Sequence, residues 1–323
     1  MRSASLSLAA AGVAATNASA LESVPSDSVS SAKIRFGLIA DLHHDFTFDA
    51  PERLKAFIAE MNRVKPDFVL ELGDFCCPVE KNKVIADIWN GFSGPKYHVI
   101  GNHEMDQGCT RKQVVSFWGI PGRYYSFDRN GFHFIVMDTN APNLKDSREK
   151  YPAGVDAEQL EWLSRDLAST QLPTIVFGHH GFDNTAVRNR ESVRILLENT
   201  HSREGHGKVV AVFSGHFHAD YYNLINGIHY VQVNSATYQW WGDKIHNDSF
   251  GAEAEKAHPL IKYMTFYKNP LWALIEIRGD GILEIQGKKT SWLGKSPQDL
   301  NLTEHAWEYP SVPSVSSRKL RLL

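Results

Sequence analysis

Cysteine is nearly missing from this chain. Three thiols in 323 residues cannot build a disulfide scaffold. Cys76 and Cys77 are adjacent and Cys109 follows a little later, so one bridge to Cys109 stays open for an exported protein. Three small buried thiols are the other reading. Missing too is any apolar run of the ~20 residues that would span a bilayer. No basic excess stands out: 34 Lys and Arg against 37 Asp and Glu give a net charge of −3, without the footprint of a nucleic-acid binder. With 42% apolar and 22% charged residues, disorder is not the default either. A chain of this length buries a substantial core, as one large domain or two small ones.

Histidine is the abundant entity, with 15 residues. Six of them fall in five short blocks with one grammar, an apolar strand-like run that ends in a small residue and then His, Asp or Asn. Gly101-Asn102-His103-Glu104 is the central block, behind Tyr97-His98-Val99-Ile100. The others are Gly37-Leu38-Ile39-Ala40-Asp41-Leu42-His43, Leu70-Glu71-Leu72-Gly73-Asp74, Val176-Phe177-Gly178-His179-His180 and Phe213-Ser214-Gly215-His216-Phe217-His218. Ligands gather outside the carboxyl ends of strands in α/β sheets, so five such ends point to one shared site.

The first twenty residues read as a secretory signal peptide, with an apolar run over Leu6–Ala15 and a small-x-small site at Ala18-Ser19-Ala20. Export to the periplasm or medium is the expectation, and a cytoplasmic protein the alternative. Residues 21–32 read as a linker, 33–290 as the functional domain, and 291–323 as a C-terminal tail, disordered from Pro310. Within the domain, strand 33–40, a helix opened by Pro51 and strand 68–72 predict a parallel pair with a crossover helix. Thr110 and Asp156 cap helices, with Gln159 at a capping-box position and Val155 placed to staple onto Leu160. Arg129-Asn130-Gly131 and Asn226-Gly227 read as hairpin turns. Residues 141–154 read as a surface loop, and 239–268 as a loop over the site.

Asp41, His43, Asp74, Asn102, His179, His216 and His218 together form a carboxylate, amide and imidazole set suited to Mn, Fe or Zn. Seven ligands exceed what one ion needs. They suit two divalent ions about 3.5–4 Å apart that share a carboxylate, as in phosphatases and nucleases.

In order and spacing, Asp-x-His, Gly-Asp, Gly-Asn-His-Glu, Gly-His-His and Gly-His-x-His resemble the calcineurin-like metallophosphoesterase superfamily, over roughly residues 33–235. The resemblance implies an α/β four-layer sandwich of two mixed β-sheets flanked by helices, with two divalent metal ions at one end. It implies that Asp41, His43 and His218 hold one ion, Asn102, His179 and His216 the other, and that Asp74 bridges. The implied reaction is hydrolysis of a small phosphorylated substrate by attack of a metal-bound hydroxide. His103 would stabilise the transition state or protonate the leaving oxygen.

The chain departs from some branches. Phe75-Cys76-Cys77-Pro78 follows the Gly-Asp block where protein Ser/Thr phosphatases carry Asp and Arg. Cys77 stands where purple acid phosphatases have a Tyr ligand. What remains is similar to the bacterial phosphodiesterase branch, with phosphodiesters or nucleotide diphosphates as substrates. A phosphomonoesterase is the alternative, with Arg123, Arg188 and Arg190 as candidate clamps. A catalytically silent metal-binding scaffold is a weaker one. His44 and His180 are candidate substrate or orienting groups, His98 and His133 read as structural, and Tyr221, Tyr222, Trp240 and Trp241 could wall a nucleobase. Oligomeric state has no signal.

Overall fold

The side-chain alternation of each central strand serves two separate cores, and that dictates four layers. In β1 (Ala32–Ile39), Ile34, Phe36 and Leu38 face one cluster while Ile39 faces another. In β5 (Phe132–Met137), Phe134 and Val136 share the first cluster while Ile135 and Met137 join a third. With a period of two, such strands are buried on both faces and need cover on both. The structure, a computed structural model, describes residues 32–142, 149–201, 205, 207–302 and 309–322. The proposed leader and all but the last residue of the linker lie outside that set.

One six-stranded sheet has the order β15-β13-β12-β1-β2-β3. It joins β1 with β2 (Phe68–Glu71), β3 (Lys96–His98), β12 (Ala273–Arg278), β13 (Ile282–Gln286) and β15 (Arg318–Arg321). The second has the order β4-β5-β6-β7-β9-β8. Its members are β4 (Tyr125–Arg129), β5, β6 (Thr174–Gly178), β7 (Val209–Ser214), β8 (Tyr221–Ile225) and β9 (Ile228–Gln232). β1, β2 and β3 run parallel, as do β5, β6, β7 and β9, so both sheets are mixed through antiparallel flanks.

The two sheets meet through a phenylalanine core. Phe36 stacks on Phe68 at 4.8 Å and meets Phe134 and Phe177 edge-on at 5.8 and 5.9 Å. Phe36 is fully buried, so truncation to Ala would cost about 3–5 kcal/mol. Helix α1 (Ala50–Val64) carries Pro51 in its first turn and turns Leu54, Phe57, Ile58 and Met61 onto the first sheet. Helix α2 (Lys83–Asn90) adds Ile85 and Trp89. On the outer side of the second sheet, α4 (Ala157–Ser169) buries Leu163 and Leu167, and α5 (Arg190–Glu198) buries Val193 and Leu197. The predicted four-layer sandwich is the fold. No helix among the described residues is long and apolar enough to cross a membrane.

Several local expectations change. Helix α3 (Arg111–Trp118) has the full capping box, Thr110 with Gln113. At α4, Asp156 caps the Gln159 N–H, but the Gln159 side chain turns away to bind both backbone groups of Asp138, at 2.9 and 2.7 Å, and so ties the helix to the end of β5. Residues 239–268 are not a loop. They hold β10 (Tyr238–Trp240), α6 (Gly251–Ala257) and β11 (Met264–Tyr267), and with β14 (Trp292–Leu293) the strands form a third, three-stranded sheet. Nor is 291–323 a detached tail: Arg318–Arg321 pairs with β13 as an edge strand and buries Leu320. The 141–154 segment is buried at its ends, at Ala141, Ala153 and Gly154. All three cysteines are free thiols, Cys76 and Cys77 buried and Cys109 half-buried.

Candidate metal centre

Parallel strands release their side chains at the same end, and five of them do so here. Asp41 and His43 follow β1, Asp74 follows β2, Asn102 and His103 follow β3, His179 follows β6, and His216 and His218 follow β7. Cross-links between the loops hold them together. Asp41 N–H donates to Gly73 O at 3.0 Å, His43 N–H to Asp74 O at 2.9 Å, and Gly215 N–H to His179 O at 3.0 Å.

The backbone is bent into unusual shapes to aim these groups. Asp41, His43, Asp74, His216 and His218 all have positive φ, between 49° and 76°. Left-handed backbone at non-glycine residues costs on the order of 1–3 kcal/mol each and clusters at functional sites. Two glycines admit the close approach: a Cβ on Gly101 would collide with Asp74 Oδ1, and one on Gly73, at φ +98°, would sit 2.6 Å from His179 Nδ1.

The donors converge. Asp41, His43 and His218 offer ligand atoms within 4.8 Å of one another, and so do Asp41, Asp74 and His179. His43 Nε2 is 3.0 Å from His218 Nε2, and His218 Nε2 is 3.4 Å from Asp41 Oδ1. His179 Nε2 is 3.2 Å from Asn102 Oδ1 and 3.1 Å from Asp74 Oδ2. Asp74 Oδ2 is also 3.7 Å from His43 Nε2, while its Oδ1 accepts the His103 N–H at 2.8 Å. One Asp74 oxygen therefore serves both halves of the cluster and the other is fixed by backbone.

The chemistry of this donor set fits divalent cations. His179 Nδ1 donates to Leu72 O at 2.8 Å and His218 Nδ1 donates to Tyr238 O at 2.9 Å, so each turns its Nε2 inward. The buried His43 Nδ1 has no hydrogen-bond partner, and burial holds the His43 and His216 pKa values well below the usual range, which keeps the rings neutral. Burial acts to raise Asp74, but His179 and His103 hold it well below the usual carboxylate range. Burial lowers His179 and Asp74 outweighs it, to about 9. With His43 and His216 held neutral and His179 held charged beside Asp74, the pocket favours positive charge at that carboxylate, a place a cation could take by displacing the His179 proton.

Behind these side chains, Glu104 accepts three backbone N–H groups, from Asp74 at 3.0 Å, Phe75 at 2.6 Å and Gly101 at 2.8 Å. This fourth member of the central block stitches the loops after β2 and β3 together. The cleft in front has a volume of about 420 Å³, floored by the cluster and walled by Phe46, Tyr151, Tyr238, Trp240 and Leu260. His103 lines it with its Nδ1 2.6 Å from Asp106 Oδ2. Burial opposes charge on His103, but Asp74 and Asp106 raise its pKa.

The remaining candidates divide. His180 is buried beside His216, with ring centroids 4.1 Å apart, and its Nδ1 pairs with Thr139 Oγ1 at 2.8 Å. His44 is half-buried outside the cleft lining. His133 is bracketed by Asp128 and Asp166, and His98 lies against Glu71, both away from the cleft. Of the four aromatics weighed for stacking, only Trp240 lines it. Trp241 is buried on Thr265, Tyr221 packs on Tyr309, and Tyr222 pairs with His229. Asp106 and Tyr151 went unread in the sequence. Asp106 lies three residues past His103 and could have been found by that spacing; Tyr151 carries no local signal.

Comparison with known proteins identifies the family. Residues 34–220 match the calcineurin-like phosphoesterase family. The chain is 24% identical over 220 residues to a manganese-dependent ADP-ribose/CDP-alcohol diphosphatase of Arabidopsis thaliana, covering 52% of this chain and 70% of that protein. It is 24% identical over 221 residues to a probable cyclic nucleotide phosphodiesterase of Rhodopseudomonas palustris, covering 60% and 75%. In fold it resembles a dimetal phosphatase from Danio rerio, with a TM-score of 0.58 at 15% identity over 82% of this chain and 100% of that one. Matched over more than half its length, with every one of the five strand-end blocks inside the match, the chain belongs to the calcineurin-like phosphoesterase family.

Proposed function

We propose that this protein hydrolyses phosphodiesters, nucleotide diphosphate linkages among them, with two divalent cations of Mn, Fe or Zn type. Asp41, His43 and His218 hold one, Asn102, His179 and His216 the other, and Asp74 is shared. The observation that carries the reading is the division of the Asp74 carboxylate, one oxygen on backbone and the other facing imidazoles of both halves. Bound there, divalent ions would supply charge to the phosphoryl oxygens and acidify a water.

The chain's own groups do the rest. Phe46, Tyr238 and Trp240 limit water around the reacting phosphorus. As the ester P–O bond breaks, its electron pair leaves with the ester oxygen, and His103 Nε2 supplies that oxygen with a proton. The attacking water forms the new P–O bond, and the proton it sheds restores the imidazole through solvent.

Charge supports a diester over a monoester. A monoester brings extra negative charge and calls for a basic clamp, yet Lys150 is the one Lys or Arg among the described residues lining the cleft. The candidate clamps are engaged elsewhere, Arg123 with Asp156 at 2.9 Å, Arg188 with Glu149 at 2.7 Å and Arg190 with Glu191 at 3.0 Å. The two curated relatives, one named for diphosphates and one for cyclic nucleotides, support the same class, and the first supports manganese.

The test compares bis(p-nitrophenyl) phosphate with p-nitrophenyl phosphate under Mn and under EDTA. Faster, metal-dependent turnover of the diester is expected. Faster turnover of the monoester would turn the reading to a phosphatase, and bound metal without turnover of either would turn it to a scaffold. The first twenty residues support export. A mature N-terminus at Leu21 is the expected finding, and an intact Met1 in the cytoplasmic fraction would refute it.

A further inference from the structure

His103 has a built environment beyond the ligands. It opens the 3-10 turn His103–Gly108, where side chains three residues apart eclipse one another. Asp106 takes that eclipsed place, and the turn breaks there, with Asp106 at ψ 165° and Gln107 at φ 60°. The Asp106 carboxylate accepts from His103 Nδ1 at 2.6 Å. From a segment 45 residues later, the Tyr151 hydroxyl donates to the same carboxylate, at 3.0 Å to Oδ1 and 3.3 Å to Oδ2, and its ring lies 4.7 Å from the His103 ring. Phe46 meets His103 edge-on at 5.0 Å. Among the described residues, Asp106 belongs to none of the His, Cys, Asp and Glu groups spaced for a cation.

A carboxylate on Nδ1 fixes the tautomer and leaves Nε2 as the nitrogen available to the cleft. A phenol on that carboxylate restricts its rotation. We propose that Asp106 and Tyr151 are positioning residues, a two-step relay that holds the His103 ring with Nε2 aimed at the leaving oxygen. Tyr151 also forms part of the cleft wall, so the relay links that wall to the proton donor. The inference rests on the hydrolase reading above.

The test uses the full mature chain loaded with Mn and a series of aryl phosphodiesters whose phenols span a wide range of acidity. A poor leaving group needs its proton early, and a good one such as p-nitrophenol hardly at all. For the least acidic phenol, kcat is expected to fall about 10–100-fold in Asp106→Ala and by a smaller factor in Tyr151→Phe, the range seen for outer partners of a histidine. For p-nitrophenol the losses shrink toward none, with KM and metal content at wild-type values. In a His103→Ala background, Tyr151→Phe is expected to add nothing. Equal losses across the whole series, an effect on KM alone, or a Tyr151→Phe loss that persists without His103 would overturn the relay. Tyr151→Phe removes a single oxygen, so it decides the matter even if Asp106→Ala does not fold. Wild-type chain that turns over no diester would instead overturn the hydrolase reading, a separate outcome.

Discussion

Two carboxylate–imidazole clusters sit back to back at the ends of β2 and β3, and only one of them faces a cleft. The rear cluster is Glu71, His98 and Glu104, whose ligand atoms also lie within 4.8 Å of one another. By donor type and spacing it rivals the front cluster around Asp74. Its atoms are sealed inside the protein, however: Glu104 takes three backbone N–H groups, Glu71 takes the Gly73 N–H at 2.9 Å and lies against His98, the buried His98 Nε2 has no hydrogen-bond partner, and Trp118 stacks over the ring at 4.2 Å. Burial pushes Glu71 up and His98 down, which favours a neutral pair. The front cluster turns His43, His216, His218 and Asp74 to a cavity. Donor identity does not make a metal site; donors that face an opening do.

Breaking each cluster should give different losses. The largest is expected for Asp74→Ala, which removes the group shared by both halves. Metal content falls, and diester turnover drops by more than about 100-fold, the scale of losing one central transition-state contact. Equal turnover in this variant at saturating Mn would refute the shared role.

Glu104→Ala should act on stability first. It leaves three buried N–H groups without an acceptor, at roughly 1–3 kcal/mol each, so urea unfolding should show a loss of about 3 kcal/mol or more. The loops it stitches carry Asp74 and Asn102, so metal affinity follows stability downward. A variant that loses affinity with an unchanged unfolding midpoint would contradict this order.

The third imidazole–carboxylate set, Asp128–His133–Asp166, sharpens the contrast because it lies outside both clusters. Burial lowers the His133 pKa, but Asp166 and Asp128 together raise it above 6.5. A raised folded value means stability that is fully present below the unfolded pKa and lost as pH rises through the folded one. The stability gap between wild type and His133→Gln should therefore narrow from about pH 6.5 upward, at unchanged diester turnover. A gap that widens with pH would reverse the assignment.

Much of this was legible in the chain. The five blocks could be read because each ligand directly follows an apolar strand, and parallel strands bring such ends together whatever their separation in sequence. The capping box at Thr110 and the Asn130-Gly131 turn could be read because their chemistry is local. Tyr151 could not, because its partner Asp106 lies 45 residues away and only the tertiary fold brings them together. Gln159 misled for the same reason: Asp138 at the end of β5 offers its side chain two buried bonds, more than the helix start does. The third sheet escaped because β10 and β14 have only three and two residues, too short for a period of two to register. β15 was hidden by the Pro and Ser residues before it, though Leu320 is its inward anchor.

The most direct test of the account is the metal content of reconstituted wild type, Asp74→Ala and His98→Gln, measured by inductively coupled plasma mass spectrometry. The account predicts two ions per chain in wild type, fewer than one in Asp74→Ala, and two again in His98→Gln with diester turnover preserved. Ions retained in Asp74→Ala, or lost from a folded His98→Gln, would contradict it.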